Sequence, residues 1–314
     1  MIQRRDPVRP AFWNLSYNFP HPPIVPLASY LNRYNSKDTN PAIQGDWNED
    51  LPYALEVVQA FWPSMSAKQL EAMRRAFYAQ CTLIDHQLRL VIGTLREHGI
   101  LDNTIIAFTS DHGDMLGDHN LFGKRVMLSG STNIPLVLVG AEGDDRLKHG
   151  AVDNRLAGIQ DIMPTLLDLT GVECPNTCTG RSLVSGPRRK HLYCEALEGP
   201  LSMRMVVNEN WKLIWYPAGN DFQLFNRSDD PNETRNLAGM EEYKEVQNRL
   251  TDTLKLELYG KDREWLKEGD LIGIPAPKFS KGTNRGLWSQ RGLHYPQPPR
   301  GLNQRPLGSP PEAS

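Results

Sequence analysis

The dominant pattern in this sequence is a long amphipathic helix that leads directly into a short buried strand. Between Ser66 and Gly99, apolar residues recur at three- and four-residue steps, and Gln69 follows Ser66 at the spacing of a capping box. The apolar positions are Leu70, Met73, Phe77, Ile84, Leu88, Ile92 and Leu95. The β-branched stretch Thr104 to Thr109 comes next and is too short for a helix. We therefore expect a helix that Gly99 ends, and then a strand that stops at the polar cluster SDHGD.

The continued alternation of strands and helices indicates the α/β class. A second buried strand is predicted at Pro135 to Val139, and a helix near Asp161 tolerates Pro164 in its first turn. This alternation predicts a mostly parallel sheet flanked by helices. An earlier strand is predicted at Phe12 to Ser16, and the prolines of FPHPP place His21 on the loop that follows it.

Beyond residue 186 the pattern changes to short strands separated by turn residues. It predicts a small antiparallel sheet followed by a helical stretch, with the strands at His191 to Glu195, Met203 to Val207, Trp211 to Trp215 and Phe222 to Phe225, and the helix at Met240 to Leu258. Past residue 274, 8 of the 24 prolines occur without apolar periodicity, which is typical of an extended tail. The predicted domains are an α/β domain at 1–186, an α+β subdomain at 187–272 and a Pro-rich tail at 273–314.

Composition limits the classes of partner. The chain carries 35 basic and 37 acidic residues, a balance that favours neither nucleic acid nor a membrane surface as the main partner. The longest apolar run, Ile134 to Val139, is far below the roughly 20 residues that span a bilayer. The amino terminus, MIQRRDPVRP, does not have the pattern of a signal peptide, so a cytoplasmic location is the default expectation. Four cysteines are too few for a disulfide scaffold in a chain of 314 residues.

Asp111 and His112 form the candidate functional site. They follow a predicted strand at the end of the sheet where loops of α/β proteins converge on ligands. A carboxylate oxygen and an imidazole nitrogen together suit calcium, magnesium, manganese or zinc. Two adjacent residues cannot complete a shell of six or seven ligands, so other ligands must come from elsewhere. Taken by itself, such a pair is more often an aspartate that caps a turn beside a surface histidine.

The sequence around this pair adds a family resemblance. The run Asp102 to Lys124, DNTIIAFTSDHGDMLGDHNLFGK, closely resembles the metal-site block of type I sulfatases and of their phosphonate ester hydrolase relatives. The resemblance covers residues 3 to 260, through FWNLSYNFPHPPIVP, CTLIDHQLRLVIGTLREHGILDNT, IPLVLVG, IQDIMPTLLDLTGV and FQLFNRSDDPNETRNLA. It implies an α/β fold of the alkaline phosphatase superfamily, mostly parallel and flanked by helices, with a small carboxyl-terminal antiparallel subdomain.

The resemblance also implies roles for individual residues. Asp111 and His112 are two ligands of a single divalent ion, usually Ca²⁺, with Mg²⁺ or Mn²⁺ as alternatives. Lys124 contacts the sulfate oxygens, where an ammonium group suits the charge that builds up. Without the motif, Lys124 would be interpreted as a solvated surface lysine.

Two further histidines are candidates for substrate binding. By resemblance, His21 binds sulfate and donates a proton to the departing alcohol, whereas a histidine between prolines is by itself more often structural. His119 could reach the substrate, but the same turn could equally hold its side chain by hydrogen bonds to the backbone.

The sequence departs from the family pattern in two places. Sulfatases carry an early strand with paired aspartates and then a Cys-x-Pro-Ser-Arg or Ser-x-Pro-Ser-Arg motif, whose first residue becomes the formylglycine nucleophile, and neither is present. This implies a truncated or split product, with a separately encoded amino-terminal segment as a candidate partner. The family also places an acidic residue shortly after the lysine, where this chain has Leu128 and Ser129.

The implied activity is hydrolysis of a sulfuric ester, with a small-molecule sulfate ester or a sugar sulfate as ligand. Without the nucleophile, we expect impaired activity. A phosphonate monoester or phosphodiester hydrolase is the first alternative, and a non-catalytic remnant of the family is the second. A two-metal phosphatase is disfavoured, since the sequence has no second histidine-rich ligand set.

Overall fold

The computed structural model describes residues 2–35, 39–62 and 65–278. These residues divide between two compact units, a first unit within 1–41 and 61–104 and a second unit within 42–60 and 105–283. Among the residues described, none of the helices has both the length and the apolarity needed to cross a membrane. The predicted domain boundaries at 186 and 272 stay predictions, and most of the tail predicted for 273–314 lies outside the described residues.

The regular elements are taken in chain order. The α-helices are α1 (Ala28–Leu31), α2 (Tyr53–Ala60), α3 (Ala67–Glu97), α4 (Ser129–Thr132), α5 (Ile162–Leu169) and α6 (Lys244–Glu257). The strands are β1 (Ile106–Thr109), β2 (Leu136–Val139), β3 (Leu192–Ala196), β4 (Met203–Val207), β5 (Trp211–Tyr216), β6 (Asp221–Asn226), β7 (Leu266–Lys267) and β8 (Asp270–Leu271).

In the first unit, the helix predicted from Ser66 is confirmed as α3. The Ser66 hydroxyl accepts a hydrogen bond from the Gln69 amide, and the Gln69 side chain accepts one from the Ser66 amide, which together make the predicted capping box. Gly99 adopts a φ of 61° just after the helix, a conformation that favours glycine. The capping pattern and the terminal glycine therefore predicted both ends of this helix.

The strand predicted at Phe12 to Ser16 is wrong. These residues form neither a strand nor a helix, and Phe12 is 80% exposed. The preference of aromatic and β-branched residues for strands arises largely from packing against neighbouring strands. A short aromatic stretch therefore cannot by itself establish a strand.

In the second unit, β1 and β2 confirm the two predicted strands, but their residues are partly exposed rather than buried, and the strands pair antiparallel, with Ile106 opposite Val139. The mostly parallel arrangement predicted from the alternating pattern is therefore not found between them. A parallel pair needs a crossover, usually a helix that packs on the sheet. The connection between β1 and β2 instead forms the loop of the candidate site, and its α-helical part is the four-residue α4.

The predicted carboxyl-terminal sheet is confirmed as an antiparallel meander in the order β3-β4-β5-β6. Side chains alternate between its two faces, and each face is covered by a separate apolar core. On β5, Ile214 and Tyr216 face one core, while Leu213 and Trp215 face the other, which is covered by α6. The first of these cores also includes Met115, Leu121 and Met127, so the loop of the candidate site is packed directly on the sheet.

Candidate functional site

Asp111 and His112 lie just beyond β1, as predicted. The Asp111 side chain is 84% exposed, and its Oδ2 lies 3.5 Å from Nε2 of His112. Nδ1 of His112 lies 2.7 Å from the carbonyl oxygen of Gly113, which can only accept a hydrogen bond. In the neutral imidazole the proton is therefore on Nδ1, and the lone pair of Nε2 is directed away from the Gly113 carbonyl.

Lys124 reaches the same nitrogen from the other end of the loop. Its Nζ lies 2.5 Å from Nε2 of His112, although 12 residues separate the two in sequence. The structure therefore brings three of the predicted site residues together: a carboxylate, an imidazole nitrogen and an ammonium group. The carboxylate oxygen and the imidazole nitrogen can ligate a cation when the ammonium group moves off Nε2, and the ammonium group can then bind an anion.

The loop that joins His112 to Lys124 is closed by its own hydrogen bonds. The Met115 amide donates to the Gly123 carbonyl at 2.8 Å, and one Asp114 oxygen accepts from the amides of Leu116 and Gly123 at 2.9 Å each. Asp114 therefore ties the start of the loop to the residue before Lys124. These local bonds contribute to the approach of His112 and Lys124.

The donor set can be compared with what a divalent ion requires. Two ligand atoms about 2.4 Å from one ion and at right angles to each other are about 3.4 Å apart. The 3.5 Å between Asp111 Oδ2 and His112 Nε2 fits two neighbouring positions of one shell. Within residues 2–35, 39–62 and 65–278, no group of three or more His, Cys, Asp or Glu side chains is arranged to hold a metal ion. Asp111 and His112 therefore fit as two of the ligands of a divalent ion, but not as its complete coordination shell.

His119 is held inside the fold. Its ring is buried and stacks on Trp47 with 4.6 Å between centroids. Nε2 lies 3.1 Å from the Asn232 carbonyl, and Nδ1 lies 3.3 Å from the side-chain oxygen of Asn48. These contacts correspond to the structural alternative for this turn, and the predicted contact of His119 with substrate stays a prediction.

We expect the stability of the second unit to fall as the pH drops below about 6.5, the ordinary pKa of histidine. Burial lowers the pKa of His119, although the Asn232 carbonyl and the carboxylates of Glu233, Asp118 and Asp230 favour its charged form. The unfolded chain therefore binds the proton first, and stability is lost below the unfolded pKa. Urea unfolding between pH 8 and pH 5 measures this. The His119→Gln variant should show a flatter profile, and an equally steep one would contradict the assignment.

His21 belongs to the first unit, whereas Asp111, His112 and Lys124 belong to the second. Its amide donates to the Asn18 carbonyl at 3.0 Å, and its Nδ1 lies 2.7 Å from the Pro22 carbonyl. The buried amide of Gln80 on α3 lies between the Pro20 carbonyl and the Val25 amide, on either side of His21. The loop is therefore held by α3, and the predicted proton transfer by His21 stays a prediction.

Sequence reasoning missed two charged residues beneath the site, Lys212 and Glu233. Both are buried, and both contact the segment just after Lys124. Lys212 stands in the otherwise apolar strand WKLIWY, and a lysine at a buried strand position requires a partner. The lysine in this apolar strand was therefore the sequence feature that could have indicated a buried ion pair. The partner itself could not be inferred, since 104 residues separate Glu233 from Ser129.

The chain is similar to sulfatases over most of its length. The Sulfatase family model matches residues 1–172, and the model for the N-sulphoglucosamine sulphohydrolase C-terminal region matches residues 117–259. An arylsulfatase from Clostridium perfringens is 33% identical over 283 residues, which cover 87% of this chain and 59% of the relative. The chain therefore spans little more than half the length of this relative.

Solved structures give the same result for the fold. A phosphonate monoester hydrolase from Silicibacter pomeroyi aligns with a TM-score of 0.67 and 25% identity, over 74% of this chain and 53% of the other. A protein solved in complex with its substrate D-glucosamine-2-N,6-O-disulfate aligns with a TM-score of 0.53 and 27% identity, over 60% of this chain and 41% of the other. These neighbours confirm the predicted fold class.

Proposed function

The chain belongs to the sulfatase family of the alkaline phosphatase superfamily, and from this premise we propose that its second unit carries part of a metal-dependent site for hydrolysis of sulfuric esters. The observation that carries the proposal is the convergence of Asp111, His112 and Lys124. Hydrolysis of a sulfate ester needs groups that stabilise negative charge on oxygen, and a cation ligand pair beside an ammonium group meets that need.

The four site residues of the second unit have distinct roles in this proposal. Asp111 and His112 would hold a divalent ion, Ca²⁺ or alternatively Mg²⁺ or Mn²⁺, which when bound supplies positive charge opposite the ester oxygens. The Lys124 ammonium donates hydrogen bonds to sulfate oxygens and keeps its charge as negative charge develops there. Asp114 acts on this chemistry indirectly, by fixing the loop that presents Lys124.

His21 is the proposed proton donor. Its Nδ1 donates to the Pro22 carbonyl, so the proton to be transferred is the one that Nε2 carries in the doubly protonated imidazolium ring. As a water oxygen bonds to sulfur and releases a proton to solvent, the bond between sulfur and the ester oxygen breaks, its electron pair goes to that oxygen, and the His21 proton neutralises it as the alcohol. The departing group then leaves as a neutral alcohol.

The given sequence does not contain the motif that carries the nucleophile in sulfatases. No cysteine or serine in the chain is followed by the x-Pro-Ser-Arg pattern. We propose that Asp111, His112 and Lys124 bind a divalent metal ion and the sulfate ester. The proposed ligands are small-molecule sulfate esters or sugar sulfates, the latter in line with the disulfated sugar bound by one structural neighbour.

Hydrolysis of phosphonate monoesters or phosphodiesters is the second candidate. It is favoured by the similarity to the phosphonate monoester hydrolase from Silicibacter pomeroyi, and by the fact that sulfate and phosphonate esters present similar tetrahedral oxygens to Lys124. Calorimetric titration with phenyl sulfate and with phenyl phenylphosphonate in the presence of calcium separates the two. Tighter binding of the sulfate supports the first candidate, and tighter binding of the phosphonate supports the second. Binding of neither ester would favour a non-catalytic remnant.

Calcium titration of the wild-type chain and of Asp111→Ala tests the metal site directly. Because the variant loses a charged oxygen ligand, we expect its affinity for calcium to fall by about tenfold or more. Asp252→Ala removes an exposed carboxylate on α6 and should leave the affinity unchanged. If the wild-type chain binds neither calcium, magnesium nor manganese, or if Asp111→Ala binds as well as wild type, the proposed site is wrong.

A further inference from the structure

Lys212 and Glu233 form an ion pair inside the second unit. Their side chains are each 3% exposed, and the Lys212 ammonium is in direct contact with the Glu233 carboxylate. Lys212 lies on β5, and Glu233 lies in the loop after β6. The surrounding face of the sheet is otherwise mostly apolar, with Met205, Ile214 and Phe225 among its residues.

Both members of the pair also bind the segment that follows Lys124. Glu233 accepts hydrogen bonds from the Ser129 amide at 2.7 Å and from the Ser129 hydroxyl at 2.9 Å. Lys212 donates to the Met127 carbonyl at 3.1 Å and to the Ser129 hydroxyl at 3.0 Å. The ammonium group has three protons, so Met127, Ser129 and Glu233 use all of them.

This segment connects the two halves of the candidate site. Met127 lies three residues after Lys124, and Ser129 is the first residue of α4. Within α4, the Ser131 carbonyl accepts a hydrogen bond of 2.8 Å from the amide of Gly113, the residue next to His112. The ion pair therefore fixes the segment whose one end leads to Lys124 and whose other end holds the backbone beside His112.

Stability alone does not account for a charged pair at this position. Replacing a buried ion pair by well-packed apolar residues is often neutral or stabilising, because both charges lose their hydration on folding. The two charges are therefore not needed to fill this core. Apolar side chains could not, however, supply the four directed hydrogen bonds that determine where Met127 and Ser129 lie.

We propose that Lys212 and Glu233 are positioning residues, which hold the segment 127–129 so that Lys124 and His112 meet. The proposal rests on the proposed function of the site. In the folded chain, the carboxylate that reaches Ser129 is that of Glu233.

The test replaces the pair by Lys212→Met together with Glu233→Met, which keeps side-chain volume and removes both charges. The double variant should remain folded by near-ultraviolet circular dichroism, while its dissociation constant for inorganic sulfate, measured with calcium present, rises about 10- to 100-fold. In a Lys124→Ala background the same double change should alter sulfate binding less than about twofold, because the positioned group is already gone. An equal effect in both backgrounds would overturn the proposal.

Hydrogen exchange gives an answer that does not depend on sulfate binding. In the double variant, amides of residues 124–131 should exchange at least about tenfold faster, while those of β4 and β5 keep their protection. Unchanged exchange in 124–131 would overturn the positioning role. If wild type binds no sulfate but this segment loosens selectively, the proposed function fails and the positioning role stands. As a matched control, Lys244→Met with Glu241→Met removes an exposed ion pair of the same charges and should change neither measurement.

Discussion

Replacing Asp161 by alanine is expected to lower the free energy of unfolding by about 3–5 kcal/mol. The Asp161 side chain is 1% exposed and lies 2.5 Å from the guanidinium of Arg189. It also accepts hydrogen bonds from the amides of Gly158 at 2.9 Å and Arg181 at 2.7 Å. The alanine variant leaves a largely buried guanidinium and two amides without this acceptor, which is the costly way to break a buried pair.

Urea unfolding at pH 7 measures this loss, and its pH dependence identifies the cause. Burial would raise the pKa of Asp161, but the hydrogen bonds from Arg189, Gly158 and Arg181 outweigh it and hold the pKa below its ordinary value of 3.8. The stabilisation is therefore complete above about pH 4 and is lost as the pH falls through the lower, folded pKa. The difference between wild type and Asp161→Ala should shrink over that range.

The matched control is Asp252→Ala, which removes a carboxylate that is 72% exposed. It should change the free energy of unfolding by less than about 0.5 kcal/mol. A loss below about 1 kcal/mol for Asp161→Ala, or a difference from wild type that does not change with pH, would show that the buried pair does not stabilise the fold as described.

Local patterns predicted the elements of this fold well, and long-range pairing poorly. The capping box at Ser66 and the strand and turn spacing of the meander depend on neighbouring residues, so the sequence alone was sufficient for them. The direction of pairing between β1 and β2 depends on how residues 110–135 fold, which no periodicity encodes. The strand predicted at Phe12 to Ser16 was wrong for a related reason, since a strand forms only where another strand lies beside it.

The residues of the candidate site also fall into a group that local sequence could predict and a group that it could not. Asp111, His112 and Lys124 lie on one loop, so a contiguous block of sequence was enough to name them, although it could not give their contacts. Lys212 and Glu233 reach Ser129 from 83 and 104 residues away, and only the folded sheet brings them beneath it. The supporting residues of a site are therefore harder to predict than the residues that they support.

Adding a methyl group at Gly113 is expected to damage both the stability and the metal site of the second unit. A Cβ atom at Gly113 would lie 2.1 Å from the Gly130 carbonyl oxygen and 3.4 Å from the Ser131 carbonyl oxygen, both of them backbone atoms. No side chain can rotate away to make room, so the backbone must separate by about 1 Å to reach ordinary contact. The hydrogen bond from the Gly113 amide to Ser131 would lengthen with it.

We expect Gly113→Ala to lower the free energy of unfolding by about 1–3 kcal/mol and to weaken calcium binding by about 10- to 100-fold. The second effect follows because His112 precedes Gly113 and shares any shift of its backbone away from Lys124. Urea unfolding and calcium calorimetry on the same preparation measure both.

Gly93→Ala is the matched control for this change. An added Cβ at Gly93, on α3, meets nothing within 4 Å, and alanine favours a helix over glycine by up to about 1 kcal/mol. This variant should be as stable as wild type or more so, and should bind calcium normally. If Gly113→Ala also kept wild-type stability and calcium affinity, the loop would tolerate an increased distance between residue 113 and the backbone of α4. The close approach of Gly113 to Gly130 would then not be what places His112.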